Sequence, residues 1–182
     1  LKICYYFNKT LKKNPNHLQT VNEYALYLNK RQKFKEALSI TLPYYKANRA
    51  DVKLNEQITE SYLGLSDYQS ALNYVEYLHI ANPTNYETKR RLAFTLLYLY
   101  KGDKEQLARG AGIIKDAITL NPNDAECHLI YAHYMIRLTQ VSTQQNMPAQ
   151  YLQCKKNAKT EYLLAKKLDK RLYDVEIENF IK

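Results

Sequence analysis

Apolar residues recur along this chain at helical spacing, in short stripes separated by polar breaks. Val21, Tyr24 and Leu28 lie three or four positions apart; after the polar break Lys30 to Lys33, Phe34, Ala37, Leu38 and Leu42 begin a second stripe. This spacing puts one apolar stripe on each of two helices, and so short a break turns the second helix back against the first. The pattern then repeats. Thirty-four residues separate Ala37 from Ala71, and the same interval carries Ala25 to Thr59 to Ala93, Leu28 to Tyr62 to Leu96, and Pro15 through Arg49 to Pro83. A fixed period of this size means one supersecondary unit stacked on near copies of itself. The predicted class is all-α, built of antiparallel helix pairs.

The steps Asn14-Pro15, Asn82-Pro83 and Asn121-Pro122 fall between units, because proline disfavours the α conformation in its predecessor and ends a helix there. The expected organisation over 1–182 is a single array. Residues 1–14 are the second helix of a truncated repeat, and full repeats occupy 18–49, 52–83, 86–122 and 125–170, with a further or capping helix starting at 172–182. Asn123 and Asp124 are first-turn candidates before Ala125. The interval from Pro83 to Pro122 is five residues over the period, and the next unit is fourteen over. Those extra residues are expected in loops, the first around Lys101 to Gln106 and the second over 139–149. Pro43 should bend the helix that contains it.

These residues resemble the tetratricopeptide repeat: a small residue midway along the first helix, an aromatic at the turn, small residues in the second helix, and proline at the unit's end. Ile58, Thr59, Tyr62, Tyr68, Ala71 and Pro83 carry the likeness most fully. Small residues at Ala25, Ala93 and Ala132, and at Ala37, Ala71 and Ala158, are what two helices need at a close crossing; Gly110 takes the alanine place in the third unit. The resemblance implies a right-handed superhelical solenoid whose first helices line a concave groove, acting as a non-catalytic scaffold or adaptor for a protein or peptide partner.

On that face the implied partner-binding residues are Asn22 in the first full unit, Glu56 and Glu60 in the second, Arg90, Phe94 and Tyr98 in the third, and Leu129, His133 and Arg137 in the fourth. The carboxylates Glu56 and Glu60 would favour a basic segment, whereas Arg90 and Arg137 around Phe94, Tyr98 and Leu129 would suit an acidic group beside an apolar anchor. The family's clamp for a chaperone's C-terminal tail uses Lys, Asn and Arg at inner positions that here read Asn22 and Leu26, then Gln57, then Glu87 and Arg91. Most of its basic and amide groups are missing, which argues against that ligand.

Composition narrows the remaining classes. Only four Gly and five Pro in 182 residues leave few turns that need positive φ. Eighteen Tyr against four Phe and no Trp give the apolar faces polar tips, suited to shallow, partly wet cores. Cys4, Cys127 and Cys154 are odd in number and widely spaced, which favours buried single thiols in a reducing compartment, with the cytoplasm slightly preferred, over a disulfide or zinc framework. Gly110-Ala111-Gly112 follows a helical segment rather than a strand, so it is not a nucleotide loop. His128 and His133 are five apart, the wrong spacing for a helical metal pair. No catalytic set, cofactor or metal is predicted, and no apolar run approaches the roughly 20 residues of a membrane span. The start without Met, inside a helical pattern, reads as a piece of a longer protein.

The net charge of +9 is uneven: +8 over residues 1–50, −2 over 51–100, zero over 101–140 and +3 over 141–182. Nucleic-acid or anionic-surface binding through the basic ends is therefore a second reading, and a regulatory or docking region of a larger enzyme a third. Self-association through the array ends is also open. The last basic stretch, Lys155 to Arg171, is expected to pack through Leu152, Ala158, Leu164, Ala165 and Leu168, leaving its lysines in water.

Overall fold

The computed structural model describes residues 2–144 and 147–181, apart from the side chains of 2, 3 and 142–144. Among the described residues there are ten helices and no strand. They fall into two compact units, residues 1–81 and 82–182. The first unit holds α1 (Lys2–Lys13), α2 (Leu18–Lys30), α3 (Phe34–Tyr45), α4 (Val52–Gly64) and α5 (Tyr68–Ala81); the second holds α6 (Tyr86–Leu99), α7 (Lys104–Leu120), α8 (Ala125–Gln144), α9 (Pro148–Leu168) and α10 (Val175–Ile181).

The period is written most clearly in the helix starts. His17, Asp51, Asn85, Asp124 and Asp174 each accept, through the side chain, the backbone N–H three residues on, and so open α2, α4, α6, α8 and α10. Asp124, not Asn123, is the cap of α8. The first two intervals between these caps are 34 residues.

Within a pair, the return turn is equally regular. Gln32 and Ser66 both adopt a left-handed conformation, with φ of 58° and 57°. After α2, Lys33 N–H donates to Leu28 O and Gln32 N–H to Asn29 O, both at 2.9 Å; after α4, Asp67 donates to Tyr62 O and Ser66 to Leu63 O, again at 2.9 Å. These two bonds close a Schellman turn, which ordinarily carries glycine at the left-handed position. The turn leading to α7 does use one, Gly102 with φ of 86°.

In the first unit, Val21, Leu38, Leu54 and Ile58 form one buried cluster and Tyr24, Ala25, Leu28 and Ala37 another. α1 closes the second cluster, stacking Phe7 on Tyr24 with centroids 4.7 Å apart. A Cβ at Gly64 would fall on the Phe34 ring, so this glycine admits the aromatic that opens α3. In the second unit a single cluster around Leu107, Ile114, Ala132, Tyr134, Ala158 and Tyr162 joins α6 to α10. Gly110 is buried there, and a Cβ on it would lie on the Tyr134 ring, whose hydroxyl reaches past it to donate to Ala93 O at 2.6 Å.

The insertions are not where loops were expected. Lys104 to Gln106 are the first turn of α7, which runs 17 residues against 12 in α3 and 14 in α5. The fourteen extra residues near 139–149 lengthen helices as well: α8 continues to Gln144 and α9 begins at Pro148, giving 20 and 21 residues. The cause is local, since Thr139 is buried and Pro148 occupies a first-turn position, where its missing N–H is harmless. Gln145 and Asn146 of that expected loop lie outside the described residues. Pro43 sits in the last turn of α3, which ends two residues later at Tyr45.

Tyrosines act as hydrogen-bonding struts. Tyr44 donates to Pro15 O and Tyr77 to Ala50 O, each tying the second helix of a pair to the loop before its first helix. Tyr162, fully buried, donates to Glu178 and accepts from Asp174 N–H. A phenol buries its ring and still reaches a polar partner at the margin of a thin core, which phenylalanine cannot do.

Candidate functional site

The predicted face divides into residues that hold the structure together and residues that remain at its surface. Asn22, on α2, is 7% exposed and donates to Asp51 Oδ1 at 3.1 Å, the same oxygen that caps α4. Arg90, on α6, reaches Asp124 Oδ2 at 2.6 Å while the other oxygen of Asp124 caps α8. His133, on α8, meets Asp174 Oδ2 at 2.9 Å while Asp174 Oδ1 caps α10. In each case one first helix grips the capping side chain of the next, so the grip fixes both the spacing and the start of the neighbour.

Arg90 and Arg137, expected to meet an acidic group of a partner, already hold carboxylates of this chain. Arg90 also contacts Glu126 at 2.9 Å, and Arg137 holds Glu176 through two bonds of 2.8 and 3.4 Å. His128 and His133 serve separate contacts: His128 lies between Glu161 Oε2 at 2.6 Å and Pro122 O at 2.9 Å. Both of those atoms accept hydrogen bonds, which leaves neither ring nitrogen of His128 directed at a metal. Cys127 is buried, and that burial, reinforced by Asp124, pushes its thiol up to about 12. Such a thiol is inert. No group of three His, Cys, Asp or Glu among the described residues is placed to hold a metal ion.

The other predicted residues lie nearer the surface. Glu56 is half-buried and Glu60 exposed on α4; Leu129 is half-buried on α8. Phe94 and Tyr98, one turn apart on α6, have centroids 4.8 Å apart, and Tyr98 is 55% exposed.

Sequence reasoning missed a cleft in the first unit. Leu18, Gln19, Asn22, Glu23, Asp51, Val52 and Lys53 line an open depression of about 390 Å³ between the N-terminal halves of α2 and α4. Asn22 Oδ1, buried at its wall, meets no hydrogen-bond donor among the described residues. The polar ties Asn22–Asp51 and, further along, Asn29 to Gln57 and Ser61 keep the two helices in register.

Among solved structures the chain is similar to MamA from Desulfovibrio magneticus RS-1, at 16% identity over 93% of this chain and 85% of that one, with a TM-score of 0.70. It is also similar to TTC0263, a thermophilic TPR protein of Thermus thermophilus, at 19% identity over 88% of this chain and 95% of that one, with a TM-score of 0.53. No family model and no curated protein matches the sequence. The chain has the tetratricopeptide-repeat fold, an all-α array of helix pairs. At these identities the likeness is one of architecture, and the side chains above are this chain's own.

Proposed function

We propose that the chain is a non-catalytic interaction scaffold that takes up an extended segment of a partner polypeptide along its first helices, with the α2–α4 cleft as the principal contact. The observation that carries this reading is the buried, donor-less Asn22 Oδ1 at the wall of that cleft. A buried acceptor left unpaired costs about 1–3 kcal/mol. A peptide backbone N–H would reach this atom, which the cleft does not expose, as the Asn22 amide turns outward, and Val52, exposed at the rim, gives the partner an apolar contact. Glu23 and Lys53 on opposite walls let one site accept both ends of a peptide's local charge pattern. In the second unit, Phe94 and Tyr98 offer an aromatic ledge of the kind that anchors binding energy.

The test is selection of binding peptides from a random displayed library, followed by affinity measurement on Val52→Glu. Glutamate at this exposed rim leaves the helix start to Asp51 and places a charge across the cleft entrance. Selected peptides should lose at least ten-fold in affinity while helix content is unchanged. Peptides that bind Val52→Glu as they bind the parent chain exclude the cleft.

A further inference from the structure

The outward face of α9 departs from its expected role. Ala158, Tyr162 and Ala165 are the buried stripe, whereas Leu152 is 65% and Leu163 52% exposed, and Leu168 is exposed as well. Leu152 and Leu163 are eleven residues apart, about three helical turns, and so stand on one side of the helix. Lys156, Lys159 and Lys167, all exposed, flank them on that same side. The stretch 148–171 carries seven basic residues against two acids, Glu161 and Asp169.

Among the described residues, the acids on and beside α9 are already engaged. Glu161 is held by His128, Asp169 by Arg171, and Glu178 by Lys166 and Tyr162. Arg171 accordingly draws Asp169 below the ordinary carboxylate range. The charge of Lys156, Lys159 and Lys167 is thus not cancelled locally, and two leucines project among them.

We infer that this face of α9 docks on an anionic lipid surface, with Lys156, Lys159 and Lys167 over the headgroups and Leu152 and Leu163 entering the boundary with the acyl chains. The composition separates this occupant from two others. A protein interface is enriched in Arg and aromatic residues and depleted in Lys, and the basic residues of α9 itself are all lysine. Single-stranded RNA is held by aromatic stacking, and the exposed stripe has no aromatic ring, since Tyr162 is buried and Tyr151 half-buried. Flexible lysines around protruding aliphatic groups suit a surface of diffuse negative charge over an apolar interior.

The experiment is co-sedimentation of the 182-residue chain with vesicles of phosphatidylcholine alone and with about 30% phosphatidylserine, at low and high salt. Anionic vesicles should retain the chain at low salt, neutral ones should not, and raised salt should weaken retention. Each lysine contributes roughly five-fold to the partition, so Lys156→Glu/Lys159→Glu/Lys167→Glu should lose at least ten-fold. Leu152→Ser/Leu163→Ser should lose several-fold with the charge intact, which purely electrostatic adsorption would not show. Both variants alter exposed positions, and circular dichroism verifies their helix content. Equal retention by both vesicle types, no retention at low salt, indifference to the leucine pair, or stronger binding to polyuridylate or polyglutamate than to anionic vesicles overturns the inference.

Discussion

Gly110 and Tyr134 offer the sharpest energetic test of the packing. Alanine is favoured over glycine inside a helix by about 1 kcal/mol, so Gly110→Ala in α7 would ordinarily stabilise. Here the new methyl falls on the Tyr134 ring, which cannot swing aside without breaking its 2.6 Å bond to Ala93 O inside a buried cluster. Overpacking of this kind costs about 1–3 kcal/mol, and the tethered ring places it at the upper end, leaving a net loss of about 2 kcal/mol. Tyr134→Leu removes the outer ring atoms and the hydroxyl, so in that background Gly110→Ala should recover its intrinsic gain of about 1 kcal/mol. The coupling between the two positions is then about 3 kcal/mol, measurable from urea unfolding of the four variants followed by far-ultraviolet circular dichroism. The same sign for Gly110→Ala in both backgrounds would show that the ring is not what opposes the methyl.

The left-handed turns give a second prediction: Gln32→Gly and Ser66→Gly should each stabilise by about 0.5–1 kcal/mol in urea, because the strain of a non-glycine residue there exceeds the entropy glycine adds to the unfolded chain. A loss of stability at both sites contradicts the turn assignment. A third concerns alkaline pH. Burial raises Tyr62, Tyr74, Tyr131 and the Cys127 thiol above their ordinary values, the last to about 12. The folded chain therefore keeps protons that the unfolded chain releases, so stability is complete below about pH 9 and falls as pH rises through the folded values. The melting temperature should drop above about pH 9, first as the unfolded thiol ionises and then as unfolded tyrosines do, and a flat profile to about pH 11 rejects it.

Much of the fold was legible because a stack repeats its constraints. Ala25, Ala37, Ala71, Ala93, Ala132 and Ala158 are all fully buried, as close helix crossings demand, and Gly110 leaves room for the Tyr134 ring where a Cβ would stand. The turns were less legible, because Gln32 and Ser66 hold the conformation that glycine would have announced. The insertions misled for a related reason: polarity near 139–149 signalled a loop, whereas buried Thr139 and the first-turn Pro148 extend two helices. At the candidate site, periodicity assigned Asn22, Arg90, His133 and Arg137 to one face without revealing that each has an internal partner on the next first helix or its cap. A signal did exist. A capping Asp or Asn recurs at 51, 85, 124 and 174, and a donor on the preceding first helix stands within reach of the three acids among them. The cleft beside Asn22 depends on which oxygen is left unpaired, and one-dimensional spacing carries no trace of that.

Whether a partner segment lies along the first helices is read most simply by amide chemical-shift mapping on the labelled chain as a selected peptide is titrated in. Perturbations should concentrate on residues 18–23 and 51–53, with the Asn22 side-chain amide among the largest. Perturbations confined to the second helices α3 and α5, with those residues unmoved, would place the contact elsewhere and overturn the scaffold reading of the cleft.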